Sequence, residues 1–326
     1  DDYDDYTGQR PDVNLLDTSI GRMQFPPMRP SQSRRDFLKS AAALAPLVAL
    51  PRAGLPASPK IGYAAITWNE HDLEAIDDIA SLGFRGIQLR SNILSSFGNR
   101  PEALSDLLRS RGLAFVALSS GSVGIDAPKL TAALEMHVSN ARFLRAAGGL
   151  YLQLTDDRPR GRTVTPDDCQ RLGTVLTEIG RRTAELGIPV GYHPHMGTIG
   201  ERPEDSDRVM AAADPRYVKL LLDVAHYQQG GGDPVAAIRR YRDRLLLLHI
   251  KDVESPVPAN AKESYRFVEL GRGRVNIRAV FAALAEVGFN GWAVIELDSV
   301  TDPTRTPKES AAISKQYLST IGVSLN

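Results

Sequence analysis

Residues 166–195, PDDCQRLGTVLTEIGRRTAELGIPVGYHPH, hold one unit of a repeating grammar. An amphipathic helical stretch runs from Pro166 to Leu186, Gly187 follows, and a short apolar run from Pro189 ends in two histidines. A glycine directly after a helix predicts a left-handed cap and a sharp return of the chain into a strand. The same order recurs in Ser81-Leu82-Gly83-Phe84 and in Glu286-Val287-Gly288-Phe289. Working outward, strands are predicted at Ile61 to Trp68, Gly86 to Arg90, Leu113 to Ser119, Leu150 to Thr155, Pro189 to His195, Val218 to His226, Leu245 to Val253 and Trp292 to Asp298. Helical patterns lie between them, among them Asp72 to Leu82, Pro101 to Arg111, Lys129 to Ala147 and Ile277 to Val287. Eight strand-then-helix units in about 270 residues fit a closed α/β architecture, the (β/α)8 TIM barrel, better than an open doubly wound sheet. The first turn, Thr67-Trp68-Asn69-Glu70-His71, has no glycine, which disfavours a nicotinamide-binding domain.

Composition narrows the function classes. The 326 residues are 42% hydrophobic, enough for a sizeable core, and carry 39 basic and 39 acidic side chains. A net charge of zero removes the general attraction to phosphate backbones, so no nucleic-acid partner is expected. With Cys169 as the single cysteine there is neither an internal disulfide nor a thiolate cluster, and any metal must be held by histidine and carboxylate.

The chain divides into a leader, residues 1–57, and a single catalytic barrel, residues 58–326. Asp1 to Met28 is acidic and then proline-rich, with no apolar period. It reads as disordered, as a cloning remnant, or as translated sequence upstream of Met23 or Met28. Ser33-Arg34-Arg35-Asp36-Phe37-Leu38-Lys39 then precedes an apolar run from Ala41 to Leu50 and the small residues of Pro51 to Ala57. Paired arginines, a short apolar stretch and small residues are the layout of a twin-arginine export signal. The run is about half of the roughly 20 residues that span a bilayer, so no stable membrane anchor is expected. The expected partner is the twin-arginine (Tat) export machinery, and the expected location is periplasmic or secreted. The sequence leaves a homo-oligomer open.

Barrel enzymes gather their chemistry at the carboxyl ends of the strands. Here those ends read Tyr192-His193-Pro194-His195-Met196-Gly197-Thr198, Leu222-Asp223-Val224-Ala225-His226, Leu248-His249-Ile250-Lys251-Asp252 and Ile295-Glu296-Leu297-Asp298. Four of the six histidines fall there. Side chains two apart on a strand share a face, so His193 with His195, His249 with Lys251, and Glu296 with Asp298 are candidates to point together into the mouth. A carboxylate, an imidazole and a second carboxylate from different strands suit one divalent Mn, Co, Mg or Zn ion. Bland readings stand beside these. Lys251-Asp252 is as readily a surface ion pair, His71 and His137 read as structural, Cys169 as an apolar filler, and Gly230-Gly231-Gly232-Asp233-Pro234 as a flexible loop with a helix cap.

These strand-end segments, together with Leu270-Gly271-Arg272-Gly273, resemble the xylose isomerase-like barrel superfamily of sugar isomerases and epimerases, and within it inosose dehydratase-like proteins. The likeness runs from about Lys60 to the C-terminus and is more specific in the second half. It implies one divalent ion held by residues on strands four, six, seven and eight. Asp223, His249 and Glu296 match three of these positions, and Gln153 stands where the fourth would be glutamate. An amide oxygen coordinates without supplying charge, and Asp156 and Asp157 are close enough in sequence to compensate.

The expected chemistry is abstraction of a proton beside a metal-polarised ketone, through a metal-stabilised enediolate. Reprotonation gives a sugar isomerase or epimerase, and loss of a β-substituent gives a dehydratase or lyase. The substrate is expected to be a small-molecule carbohydrate, a keto-sugar, keto-inositol or 3-keto-glycoside. His195 and His226 are the acid/base candidates, Lys251 is the candidate for stabilising oxyanion charge, and His193 and Asp298 are candidates to contact substrate. The alternative is a catalytically weakened carbohydrate-binding barrel, for which Gln153 is the best support. An endonuclease of the same superfamily would need further ligands and a basic groove.

Overall fold

The structure, a computed structural model, describes residues 58–125, 127–255 and 264–325. The export signal expected within residues 1–57 lies outside the described residues. The strands are β1 (Lys60–Ala64), β2 (Gly86–Arg90), β3 (Ala114–Val123), β4 (Tyr151–Asp156), β5 (Val190–Tyr192), β6 (Val218–Asp223), β7 (Leu245–Ile250), β8 (Asp252–Glu254), β9 (Arg266–Val268) and β10 (Trp292–Ile295). β1 to β7 and β10 close a barrel in the order β1-β10-β7-β6-β5-β4-β3-β2, with every pairing parallel. β8 and β9 form a separate antiparallel hairpin. The expected (β/α)8 barrel is the observed fold.

Local chemistry explains the units. The helix Pro166–Ala184 starts at a reciprocal capping box between Thr165 and Asp168, with proline in its first turn. Cys169, Leu172, Leu176 and Ile179 recur at helical spacing and are fully buried. Burying each of the three larger aliphatics contributes about 1.5–3 kcal/mol. Gly187 then takes a φ of 71°, where a Cβ would be strained, and Gly83 and Gly288 do the same at 86° and 68°.

Inside the barrel, Val116, Ala117, Leu221, Leu247, Trp292 and Val294 form an apolar plug. Gly86 makes room for it: a Cβ there would lie 2.4 Å from the Trp292 ring. With the amino-terminal part of the barrel filled by hydrocarbon, the polar side chains collect at the other end.

Five strands stop earlier than the sequence suggests. Barrel pairing ends at Tyr192, Asp223, Ile250 and Ile295, and Ala65–Trp68 after β1 is a 3₁₀ turn. The apolar runs continue because the segments over the barrel mouth are themselves buried. At β6 the stop is explicit. Asp223 Oδ1 accepts hydrogen bonds from the backbone N–H groups of Ala225 (2.8 Å) and His226 (2.9 Å), capping a short helix, Val224–Gln229. Among the described residues no helix is long and apolar enough to cross a membrane.

Candidate active site

Asp223 and His249 are direct register partners across β6 and β7. The cap fixes Asp223 Oδ1 and aims Oδ2 inward, 3.6 Å from His249 Nδ1. Glu296, just past β10, places Oε1 3.3 Å from the same nitrogen. The three residues expected to hold a cation are therefore brought together, and all are buried. With His193 they can present one donor atom each such that all four lie within 4.8 Å of one another.

The donor set fits a divalent ion on its own hydrogen bonding. Asp223 Oδ2, His249 Nδ1, His193 Nδ1 and Gln153 Oε1 are buried and make no hydrogen bond, and buried polar atoms rarely stay unpaired without reason. Burial alone would lower the His249 pKa, yet Glu296 and Asp223 raise it to about 9. The space between the carboxylates therefore favours positive charge. Burial likewise pushes Asp223 upward, but the Lys251 and His226 charges outweigh it and hold the carboxyl well below its ordinary range. Glu296 is held low in the same way by His249 and Lys251.

Gln88 on β2, which the sequence reading missed, orients two of these ligands at once. His249 Nε2–H donates to Gln88 Oε1 (2.9 Å), and Gln88 Nε2 donates to Glu296 Oε2 (3.2 Å). The first bond keeps a proton on Nε2 and leaves Nδ1 as the nitrogen facing the carboxylates, where it holds a proton in the raised-pKa state and would offer its lone pair to a bound cation. Nothing local marks Gly86-Ile87-Gln88-Leu89-Arg90 as part of a site, because Gln88 is uncharged and its partners are far away in sequence.

Gln153 lines the same cleft as Glu296 and His193. Its buried, unpartnered amide oxygen is consistent with the fourth ligand position. His193, expected to orient substrate, is on the wall of this cleft and also packs edge-on to His249 with ring centroids 4.9 Å apart, within the donor cluster. Neither aspartate beside Gln153 compensates for it. Asp156 accepts from the Tyr192 hydroxyl (2.9 Å) and the Ile199 N–H (2.6 Å), tying β4 to the loop after β5, and Asp157 is exposed on an outer cleft.

The inner cleft has a volume of about 190 Å³, and Gln88, Arg90, Gln153, His193, His195 and Glu296 are on its wall. Asp298, expected to contact substrate, also lines it. His195 and His226 stack with centroids 3.6 Å apart. The peptide groups of Met196 bond both rings. His195 Nδ1–H donates to the Met196 carbonyl (2.8 Å), leaving Nε2 as the basic atom, whereas the Met196 N–H donates to His226 Nδ1 (3.2 Å) and His226 Nε2 lies 3.3 Å from Lys251 Nζ.

Two catalytic candidates sit deeper than expected. His226 is buried with its pKa well below the ordinary value, chiefly through burial, and it is not on the cleft wall. Lys251 is fully buried and donates to Glu296 Oε1 (2.9 Å) and Asp298 Oδ1 (2.6 Å). The Phe267 ring of β9 covers both, 4.5 Å from the His226 centroid and 4.4 Å from Lys251 Nζ. Lys251 thus anchors two carboxylates from behind.

The reading of Lys251-Asp252 as a surface ion pair is corrected. Asp252 is buried and accepts from the backbone N–H groups of Val253, Gly271, Gly273 and Val275, which folds the Leu270-Gly271-Arg272-Gly273 segment over the hairpin. The other bland readings hold. His137 is buried against Ser120 (2.7 Å), itself bonded by Asn140 (2.9 Å), and His71 is exposed at a helix start. Cys169 is buried, and Asp233 caps the helix Pro234–Arg240 through the Val235 N–H.

The family model described as xylose isomerase-like TIM barrel matches residues 76–318. The inosose dehydratase of Lacticaseibacillus casei is 27% identical over 298 residues, covering 79% of this chain and 96% of that protein. The rhizopine catabolism protein MocC of Rhizobium meliloti is 29% identical over 284 residues, covering 76% and 83%. Among solved structures, an IolI protein with a bound zinc atom superposes with a TM-score of 0.68 at 17% identity, covering 80% of this chain and 97% of that one. The "probable 3-DHS dehydratase AsbF" of Bacillus anthracis gives 0.66 at 16% identity, covering 80% and 98%. At these identities the two structures speak for the fold.

Proposed function

The chain belongs to the xylose isomerase-like TIM barrel family, and from that premise we propose that it is a divalent-metal-dependent enzyme that removes a proton beside the ketone of a cyclic keto-sugar, keto-inositol or 3-keto-glycoside. The observation that carries the reading is the convergence of unpartnered Asp223 Oδ2 and His249 Nδ1 with Glu296 Oε1 in a buried pocket. Asp223, His249 and Glu296 would hold the ion, with the Gln153 amide oxygen and His193 as the neighbouring donors. When bound, the ion supplies polarisation of the ketone and stabilises negative charge developing on its oxygen.

The remaining chemistry belongs to the chain. His195, on the cleft wall with Nε2 unprotonated, takes the proton from the carbon next to the ketone. Protonation of that carbon on the opposite face gives an epimer, and protonation of the former carbonyl carbon gives an isomer. If a hydroxyl or glycosidic oxygen stands β to the ketone, the C–O bond breaks, a C=C bond forms, and the leaving oxygen takes a proton. The relatives named inosose dehydratase favour this second outcome. His226 holds the His195 ring by stacking, Lys251 holds Glu296 and Asp298, and Arg90 offers a cation to substrate hydroxyls.

The leader reading joins the same proposal: a twin-arginine signal would deliver the folded enzyme to sugars oxidised outside the inner membrane. The test is metal analysis of the purified protein, followed by incubation with ring ketones in deuterated water. Bound divalent metal at about one equivalent and exchange of the C–H beside the ketone are expected. No metal and no exchange would overturn the reading.

A further inference from the structure

A second and larger cleft, of about 740 Å³, opens beside the catalytic one, and Ser122, Gly124, Asp157, Arg158, Arg160 and Gly197 are on its wall. The two share three stretches of chain. β3 gives Ser119 to the inner cleft and Ser122 to the outer; β4 gives Gln153 and Thr155 to the inner, with Asp157 immediately after it on the outer; and the loop after β5 gives His195 to the inner and Gly197 to the outer. Gln153, Thr155 and Asp157 are two apart and so form a run leading outward from the metal donors. Pockets for small molecules typically measure about 300–1,000 Å³. The inner cleft alone falls short of that range, and the two together fall within it.

The lining shows what kind of group fits. Arg158 is paired with Glu201 (2.7 Å), which also accepts the Gly197 N–H (3.1 Å), so the wall is braced between the loops after β4 and β5. Arg162 is engaged by Asp168 (2.8 Å). Asp157 and Arg160 are exposed on the wall, one carboxylate and one guanidinium. The wall itself has three arginines, Arg158, Arg160 and Arg162, to one carboxylate, but Glu201 and Asp168 behind it neutralise two of them, which leaves Asp157 and Arg160 to meet a group with many hydroxyls. A carboxylate accepts from hydroxyls and a guanidinium donates to them through a planar fork.

We propose that the outer cleft is a subsite for a second sugar ring, so that the substrate is a neutral two-ring glycoside whose ketone-bearing ring occupies the inner cleft. The inference rests on the reading of the inner cleft given above, and it selects glycosides from among the ring ketones named there.

The experiment uses the metal-loaded full chain with methyl 3-keto-β-glucoside and 3-keto-cellobiose, each followed by titration calorimetry and by exchange in deuterated water. Binding of the two-ring ligand at least tenfold tighter is expected. Asp157→Ala and Arg160→Ala should each remove most of that advantage while leaving affinity for the methyl glycoside unchanged. Equal affinity for the two ligands, no measurable binding of either, or variants that weaken both alike would overturn the subsite, as would a phosphorylated single-ring ketone that binds tighter than the two-ring ligand. Tight, variant-sensitive binding of the two-ring ligand without exchange of either would instead overturn the catalytic reading and leave the subsite standing. Exchange of the methyl glycoside with no two-ring advantage would do the reverse.

Discussion

Gln88 Oε1 lies 2.9 Å from His249 Nε2, and through this one contact a neutral side chain on the second strand decides which nitrogen of a seventh-strand histidine faces the carboxylates. Removing an orienting partner of a metal-ligating histidine lowers metal affinity by about 10–100-fold. Gln88→Leu should do so here, measured by competition with a chelator, while the barrel stays folded by circular dichroism.

Gln153→Glu should move affinity the other way. It adds a carboxylate beside unpartnered donors, so divalent binding tightens by about tenfold or more, whereas the metal-free protein, left with another buried charge, loses stability. The gap in melting temperature between metal-loaded and metal-free protein should therefore widen relative to the wild type.

His195→Asn should reduce exchange of the substrate C–H by about 10²–10⁴-fold. Metal content should not change if the ion is held by Asp223, His249, Glu296 and His193, since His195 belongs to a different donor group, with His193 and His226. Loss of both together would mean that His195 acts as a ligand.

Two buried groups give the stability an opposed pH dependence. Burial lowers His137 to about 4, so the unfolded chain binds its proton first, and the associated stability is present above about pH 6.5 and lost as pH falls through about 4. Burial raises Asp156 to about 6, so its contribution is full below about pH 4 and lost as pH rises through about 6. Each shift corresponds to about 3 kcal/mol at most, and between pH 6.5 and 4 they largely offset. In His137→Gln the offset disappears, and relative to the wild type the variant should gain stability on acidification across that window in urea unfolding curves.

Replacing both Arg34 and Arg35 with lysine should leave the protein in the cytoplasm if the leader is a twin-arginine signal. Cell fractionation of the full chain measures this, and unchanged export would refute the leader reading.

The barrel was legible because each unit carries two independent marks, an apolar strand and a glycine after the preceding helix, as at Gly187. Strand ends were not, since a buried loop over the mouth has the composition of a strand. Asp223 is the instructive residue. Its spacing to His226 read as a continuing strand, but an aspartate before a short apolar run is also a helix cap, and that signal was available. Charged or titratable residues at strand ends stand out, and the resemblance to the sugar isomerase family singled out Asp223, His249 and Glu296 among them. Gln88 was not, because an amide in an apolar strand has no local signature and its partners are 161 and 208 residues distant. The outer cleft escaped for a related reason: arginines in a loop look like ordinary solvated charge until three strands bring them beside the catalytic pocket.

The bond from Gln88 to Glu296 crosses 208 residues, and that from Thr67 to the Leu297 carbonyl crosses 230. The second lies where the first strand meets the last, at the join that completes the cylinder, and the first reaches over that join from β2. A chain still emerging from the ribosome, or one cut before Trp292, owns Asp223 and His249 but lacks the second carboxylate and the clasp that aims it. On the proposed reading, the donor group that would hold an ion is complete only after the ring has closed.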